Sequence, residues 1–207
     1  GALALPLLTA ARATYPEITL QLTEEISGSL IEQLKSGRLN LAVLFDDGQL
    51  GGFETMPLVD EDLMYICRAD SSTRPQGSSI TLGAALGSTL ILPAQQHGVR
   101  PLIEQAAASA GLALTKLIEI NSIAILKSAL LADMGATLLP LAPLRTEIES
   151  GLLAATPIEN PPIRRSVTLC ASRNIPLTNA AAAIRGLVRQ VTATLCANGG
   201  WPGACLR

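Results

Sequence analysis

The chain has 207 residues, of which 48% are apolar and 15% charged, so it can bury a sizeable core and is not intrinsically disordered. Its 15 basic and 17 acidic residues nearly balance, and no basic cluster exceeds the pair Arg164 and Arg165. The chain has no basic stripe that could contact phosphates, and only 2% of its residues are aromatic and could stack on bases. We therefore do not expect the chain itself to bind nucleic acid.

The cysteines and the lengths of the apolar runs indicate in which cellular compartment the protein acts. The four cysteines form no C-x-x-C pair and have no histidine nearby. Cys67 and Cys170 lie within predicted strands, where free cysteine is commonly a small buried hydrophobe. No apolar run reaches about 18 residues, and the chain does not start with a secretory leader. We therefore expect a cytoplasmic protein with no membrane contact.

Residues 2–14 have the apolar spacing of a helix, and residues 15–45 then predict a strand, a helix and a second strand. Ile18, Leu20 and Leu22 alternate with polar residues. Such alternation predicts a strand with one buried face.

The helix of this first unit is predicted from its two ends. Ser29 and Glu32 have the spacing of a capping box, and Gly37 supplies the left-handed ending. Residues 39–45 are mostly apolar, which predicts a strand buried on both faces of a parallel sheet. Together the three elements predict a right-handed crossover unit.

Shorter elements follow, and then the same order of elements occurs a second time. In chain order we predict a loop at 46–52, strands at 53–57 and 62–68, a loop at 69–77, a helix at 80–86, a strand at 88–92, a turn at 95–98 and a helix at 101–110. Residues 117–139 again predict strand, helix and strand, with Asn121 or Ser122 as the helix cap and Gly135 as its end. Two such units predict two similar α/β halves.

The last part of the chain returns to the first half. We predict a helix at 144–150, an edge strand at 152–157, a turn at 160–162, a strand at 163–171 and a long helix at 179–195. The segments near 60–68 and 160–172 would carry the chain across and back. Residues 196–207 have no apolar period, so we predict a flexible tail there.

No catalytic or nucleotide-binding motif is present. The sequence lacks G-x-S-x-G, G-x-x-x-x-G-K-[ST], G-x-G-x-x-G and H-E-x-x-H, and its one histidine, His97, cannot hold a metal alone. We therefore predict no enzyme, no catalytic residue, no metal site and no cofactor.

Turns that start helices after strands are the remaining candidate sites. Their free amides and partial positive charge suit a small anion. At Ser29 a capping role explains the residue better than ligand contact, whereas at Ser122 both roles stay open. Arg100 either pairs with an anionic ligand or is solvated.

Several segments resemble the effector-binding domain of LysR-type transcriptional regulators. The matching positions are Tyr15 to Ile18, Gly28, 30–43, Ser122, Ile123, Met134 to Ala136, Leu139 and Pro140. Glu119, Ser122 to Ala124 and Met134 to Thr137 are also similar to the nitrogen assimilation control branch of that family. The resemblance covers residues 2–190.

The resemblance implies a fold and a domain organisation. The fold would be α/β, with two Rossmann-like subdomains joined by two crossover strands, as in type 2 periplasmic-binding-protein-like domains. By the same resemblance, the first strand of subdomain I would be missing from this chain. Subdomain I would comprise residues 1–67 and 164–195, subdomain II residues 68–163, and the tail residues 196–207. The DNA-binding helix-turn-helix would lie before residue 1.

The resemblance also implies a function, which is effector sensing and dimerisation in a bacterial regulator of DNA-dependent transcription. The effector, a small anion or none at all, would bind in the cleft between the subdomains. The expected contacts are Gln95, Gln96, His97, Gly98, Arg100, Asn121, Ser122 and Ile123. Expected partners are a second copy in a homodimer, a tetramer in the full-length protein, and DNA only through the N-terminal domain. The alternative is a solute-binding protein of a transport system, which shares the two-lobed fold.

Overall fold

The computed structural model describes residues 2–25, 27–46, 50–94 and 98–207. The chain forms two compact units, of which unit 1 comprises Gly1–Glu61 and Ser166–Arg207 and unit 2 comprises Asp62–Arg165. It therefore passes into unit 2 after Glu61 and returns after Arg165.

The helices and strands alternate along most of the chain. The helices are α1 (Ala4–Thr14), α2 (Ser27–Lys35), α3 (Leu82–Leu86), α4 (Arg100–Ser109), α5 (Ile123–Leu131), α6 (Arg145–Glu149) and α7 (Asn179–Ala197). The strands are β1 (Ala42–Asp46), β2 (Phe53–Asp62), β3 (Met64–Arg68), β4 (Ile80–Thr81), β5 (Leu90–Leu92), β6 (Leu117–Glu119), β7 (Thr137–Leu139), β8 (Leu153–Glu159), β9 (Arg164–Ser172) and β10 (Ala204–Leu206). Within the described residues, none of these helices has the length and apolar character that crossing a membrane requires.

Unit 1 is built on a four-stranded sheet in the order β1, β9, β2, β10. Strand β1 pairs with β9 in the antiparallel sense, from Ala42 opposite Cys170 to Asp46 opposite Ser166. Leu34 of α2 and Leu44 of β1 are fully buried in the core of this unit. The predicted strand over residues 62–68 is two elements, because β2 continues to Asp62 and β3 begins at Met64.

The prediction of the first crossover unit, over residues 15–45, is wrong for both of its strands. Residues 18–22 belong to none of the strands described, and Leu22 is 43% exposed. An alternating segment becomes a strand only when a neighbouring backbone takes up its hydrogen bonds. Strand β1 is antiparallel to its described neighbour rather than part of a parallel pair, and Val43 on its outer face is 37% exposed.

The predicted capping box at the start of α2 is also wrong. The helix begins at Ser27, so Ser29 lies inside its first turn. The Ser29 hydroxyl and the Gln33 amide both donate to the carboxylate of Glu25, the latter at 2.9 Å. These hydrogen bonds, that of Ser29 most strongly, lower the pKa of Glu25. The carboxylate that contacts Ser29 is therefore that of Glu25, which precedes the helix where the dipole favours it, and not that of Glu32 as predicted.

Unit 2 contains the second predicted crossover, and its strand, helix and strand are confirmed as β6, α5 and β7. Strands β5 and β6 are parallel, and Ala136, just before β7, forms a parallel bridge to Leu90 of β5. Strand β7 also belongs to a sheet with the order β4, β8, β3, β7. Strand β8 is therefore internal and not the predicted edge strand. The two-residue strand β4 pairs with the outer side of β8. It begins the segment 80–86, which was predicted to be helical throughout.

The predicted flexible tail is ordered. Strand β10 pairs with β2 in the antiparallel sense, and Trp201 is buried before it. A three-residue strand and one buried ring are too short to produce an apolar period, which is why the sequence pattern missed them. Cys67 and Cys170 are fully buried, as predicted, and burial raises the pKa of the Cys67 thiol.

One ion pair in unit 2 makes stability depend on pH. Nζ of Lys127 on α5 lies 2.9 Å from Oε1 of Glu147 on α6, and both side chains are mostly buried. Burial raises the pKa of Glu147, but the hydrogen bond from Lys127, a backbone hydrogen bond at Glu147 and the charge of Lys127 together outweigh it, so the pKa is lowered overall. A lowered carboxyl pKa stabilises the fold above the unfolded-state value, and that stability is lost as pH falls through the folded-state value.

We expect Lys127→Met to lower the free energy of unfolding at pH 7 by about 1 to 2 kcal/mol, because Glu147 then stays buried as an unpaired anion. The difference from the wild-type chain should shrink as Glu147 becomes protonated in acid. Urea unfolding at several pH values measures it. An equal difference at all pH values would mean that packing of the lysine stem, not its charge, stabilises the fold.

Candidate functional site

The candidate site lies at the carboxyl ends of the parallel strands β5 and β6. Leu90 lies opposite Leu117 and Leu92 opposite Glu119, and the Ile120 amide donates to the Leu92 carbonyl at 3.0 Å. Both strands therefore end at the same edge of their sheet, and each is followed by a helix, α4 after β5 and α5 after β6. This is the edge at which ligands bind in open α/β sheets.

Asn121 joins the two loops that leave this edge. Its side-chain Oδ1 accepts a hydrogen bond from the Ala94 amide at 2.8 Å. Asn121 is thereby a link between loops, and Ser122 is the helix cap, with its Oγ accepting from the Ile125 amide at 3.4 Å. The 3.4 Å contact is long for a hydrogen bond, and a ligand contact of Ser122 stays a prediction beside its role as the cap.

Apart from Arg100, the remaining predicted contacts form two groups, one described by the structure and one not. Gly98 is half-buried in the turn before α4, and Ile123, the first residue of α5, is 37% exposed. Gln95, Gln96 and His97 lie outside the described residues.

Arg100 is the most unusual member of the predicted set. It is the first residue of α4, and only 6% of it is exposed. Its Nε donates to Oε1 of Glu104 at 2.7 Å, whereas its Nη1 is buried and has no hydrogen-bond partner among the residues that the structure describes. Leaving a charged donor buried and unsatisfied costs about 1 to 3 kcal/mol or more. The predicted alternative, a solvated Arg100, is therefore wrong.

The third predicted anion turn, around Ser29 in unit 1, already holds a negative group. The Glu25 carboxylate accepts from Ser29 and Gln33 within the first turns of α2. A second anion there would meet like charge, which argues against a ligand at this turn.

Unit 1 also has an open groove of about 390 Å³ between α7 and the sheet. Two arginines of α7, Arg185 and Arg189, line it together with Glu54. Arg185 donates to Glu54 at 2.7 Å. Arg185 and Arg100 each pair with a carboxylate, but Arg185 is partly exposed whereas Arg100 is buried, so the groove is a weaker candidate for an anion than Arg100.

Comparison with known proteins identifies the family to which this chain belongs. Residues 1–193 match the family model described as the LysR substrate binding domain. The nitrogen assimilation regulatory protein nac of Klebsiella aerogenes is 33% identical over 140 residues, which cover 68% of this chain and 45% of that protein. The chain thus spans about half the length of the curated relatives it matches.

Solved structures show the same fold at lower identity. The reduced form of OxyR from N. meningitidis has a TM-score of 0.77 at 23% identity, covering 100% of this chain and 93% of that one. The CcmR regulatory domain of Synechocystis PCC6803 in complex with 2-PG has a TM-score of 0.80 at 19% identity, covering 90% and 89%.

Proposed function

From the premise that the chain belongs to the LysR substrate binding domain family, we propose that it is the effector-sensing and dimerising module of a bacterial transcriptional regulator. The resemblance predicted from the sequence, including that to the nitrogen assimilation branch, is confirmed by the family match and by the nac relative. The predicted fold class, type 2 periplasmic-binding-protein-like, is confirmed as well.

The observation that carries the proposed sensing role is the buried Nη1 of Arg100 at the start of α4, for which the described part of the chain offers no hydrogen-bond partner. A carboxylate or phosphate oxygen is the acceptor that a guanidinium binds best. Helix N-termini add free amides and positive potential at the same edge. We therefore propose a small anionic effector, contacted by Gly98, Arg100, Asn121, Ser122 and Ile123. Gln95, Gln96 and His97 stay predicted contacts from the sequence.

The proposed mechanism is a shift between conformations. An effector that binds one conformation more tightly draws the population towards it, by as much as its affinities for the two differ. DNA contact is proposed to reside in a part of the regulator outside this chain, since the composition offers no basic stripe. Such a regulator would act in the cytoplasm, where its operator lies.

Exposed apolar side chains support the proposed homodimer. In unit 1, Leu5 of α1 is 72% exposed and Leu22 is 43% exposed. In unit 2, Leu112 and Leu117 are each 38% exposed, just beyond α4 and on β6. We propose that α1 and residues 18–22 of one copy pack against α4 and β6 of a second, in an isologous interface. The full-length protein would then be a tetramer.

The alternative, a solute-binding protein of a transport system, is not favoured, because the curated relatives are transcriptional regulators. No observation in either unit favours it independently, so the tests below address the sensing role.

A thermal-shift screen of the chain against small carboxylates, amino acids, phosphate esters and inorganic anions tests the proposed function. A true effector at 100 times its Kd should add about 2.7 kcal/mol to the free energy of unfolding. Uncharged analogues of each hit, such as the corresponding amides, are the matched controls. An equal response to amide and acid, or no response across the panel, would contradict anionic effector sensing.

A further inference from the structure

The last eight residues, 200–207, contact unit 1 at the place where the chain leaves it. Trp201, the only tryptophan of the chain, is 7% exposed, and its Nε1 donates to Oε1 of Glu61 at 2.6 Å. Glu61 is 1% exposed and is the last residue of unit 1 before the chain enters unit 2. The Trp201 amide also donates to the Leu195 carbonyl at 3.1 Å, which ties the ring to the end of α7.

The chain leaves unit 1 at the end of β2 and returns to it at the start of β9, and we call residues 58–62 and 164–168 the crossing. Strand β10 and Arg207 contact both of these segments. Cys205 lies opposite Asp60, and the Arg207 amide donates to the Leu58 carbonyl at 3.1 Å. The Arg207 side chain donates to Oγ of Ser166 at 3.2 Å and lies 3.5 Å from the Asp60 carboxylate. Ser166 in turn donates to Asp60 at 2.6 Å and is the first residue of unit 1 after the chain returns.

Trp201 and Glu61 form a buried polar pair, which the covering of apolar surface alone would not require. A buried carboxylate is costly to desolvate, and a buried polar pair is weak evidence for stability, whereas specification of one conformation is its best-attested use. An apolar residue at position 61 would pack against the Trp201 ring without that cost. The buried pair is therefore suited to holding one geometry at the crossing.

We propose that residues 200–207 form a clamp on the crossing, holding Leu58–Glu61 and Ser166 in one geometry so that bending there requires the clamp to open. Its use in regulation rests on the proposed function, because a conformational shift driven by an effector would have to work against it. The clamp itself is a property of the free chain.

Native-state hydrogen exchange on the free chain tests the clamp. Trp201→Phe keeps a ring but removes the donor to Glu61, and a chain ending at residue 199 removes β10 as well. Amides of residues 58–62 and 164–168 should exchange about 10- to 100-fold faster in both variants, while those of β3 and β8 keep their wild-type rates. Arg185→Gln is the matched control, because it removes the ion pair to Glu54 at the other end of β2 and should leave the crossing unchanged.

Two results would overturn the clamp. Unchanged exchange at the crossing would mean that residues 200–207 do not restrain it. A uniform rise through both units would mean that they only add global stability. Since no effector is added, either result leaves the proposed sensing role standing, and a failed effector screen leaves the clamp standing.

Discussion

Replacing Gly135 with alanine is expected to lower the free energy of unfolding by about 3 kcal/mol or more, which for a marginally stable domain can abolish folding. A Cβ at this position would lie 2.5 Å from the carbonyl oxygen of Thr89. That oxygen belongs to the backbone that leads into β5 and accepts a hydrogen bond from the Ala136 amide at 2.9 Å, so it cannot move away without breaking the bridge to β7.

Gly186→Ala is the matched control for this substitution. Gly186 lies within α7, and a Cβ there would meet nothing within 4 Å. Alanine is the better helix former by about 1 kcal/mol, so this variant should be more stable than the wild-type chain. Urea unfolding of both variants measures the two opposite effects. A Gly135→Ala variant as stable as the wild type would show that the two backbones are not in close contact.

The Gly135 contact gives a physical reason for one of the segments on which the family resemblance depends. A tight approach of two backbones needs a residue without a side chain, and this requirement is visible in the sequence as a glycine after an apolar helix. The same logic explains why the strand, helix and strand of unit 2 were predicted correctly. Ser122, one of the two predicted caps, does cap α5, but the helix ends at Leu131, so the prediction that Gly135 ends it is wrong and Gly135 instead marks the close approach of two backbones.

Where the prediction failed, the deciding partner was distant in the chain. Residues 18–22 alternate as a strand does, but alternation gives a strand only if another backbone pairs with it. Strand β1 pairs with β9, which lies more than a hundred residues away in the chain, and β10 pairs with β2 across a similar separation. Local patterns carry no information on such pairing.

The candidate site was predictable in its residue types but not in its contacts. The sequence placed Arg100 at a helix start, where an arginine opposes the helix dipole, so the sequence made it a weaker candidate for ligand binding than for solvation. Its burial follows from α4 presenting Arg100, Ile103 and Ala107 on one inward face. The link between Asn121 and Ala94 depends on two strand ends being neighbours, which only the fold decides.

Arg100→Met is expected to weaken anion binding about 10- to 100-fold while leaving the free chain as stable as before or more stable by about 1 kcal/mol. The substitution removes a buried guanidinium whose Nη1 finds no hydrogen-bond partner within residues 2–25, 27–46, 50–94 and 98–207, and it fills that space with apolar atoms. Glu104 is more than a third exposed at its side chain, so water can solvate it after the arginine is lost. A residue kept for binding at the expense of stability shows this combination.

Arg145→Met is the matched control, since Arg145 contacts Glu149 at 2.6 Å with the same four-residue spacing but on an exposed face. Its loss should change stability by about 0.5 kcal/mol at most and leave binding unaltered. Calorimetric titration with inorganic phosphate, and with any anion found in the screen, measures affinity, and urea unfolding measures stability. If Arg100→Met destabilised the free chain by several kcal/mol and bound the anion as the wild type does, Arg100 would be a structural residue. The anion site would then have to be sought away from the start of α4.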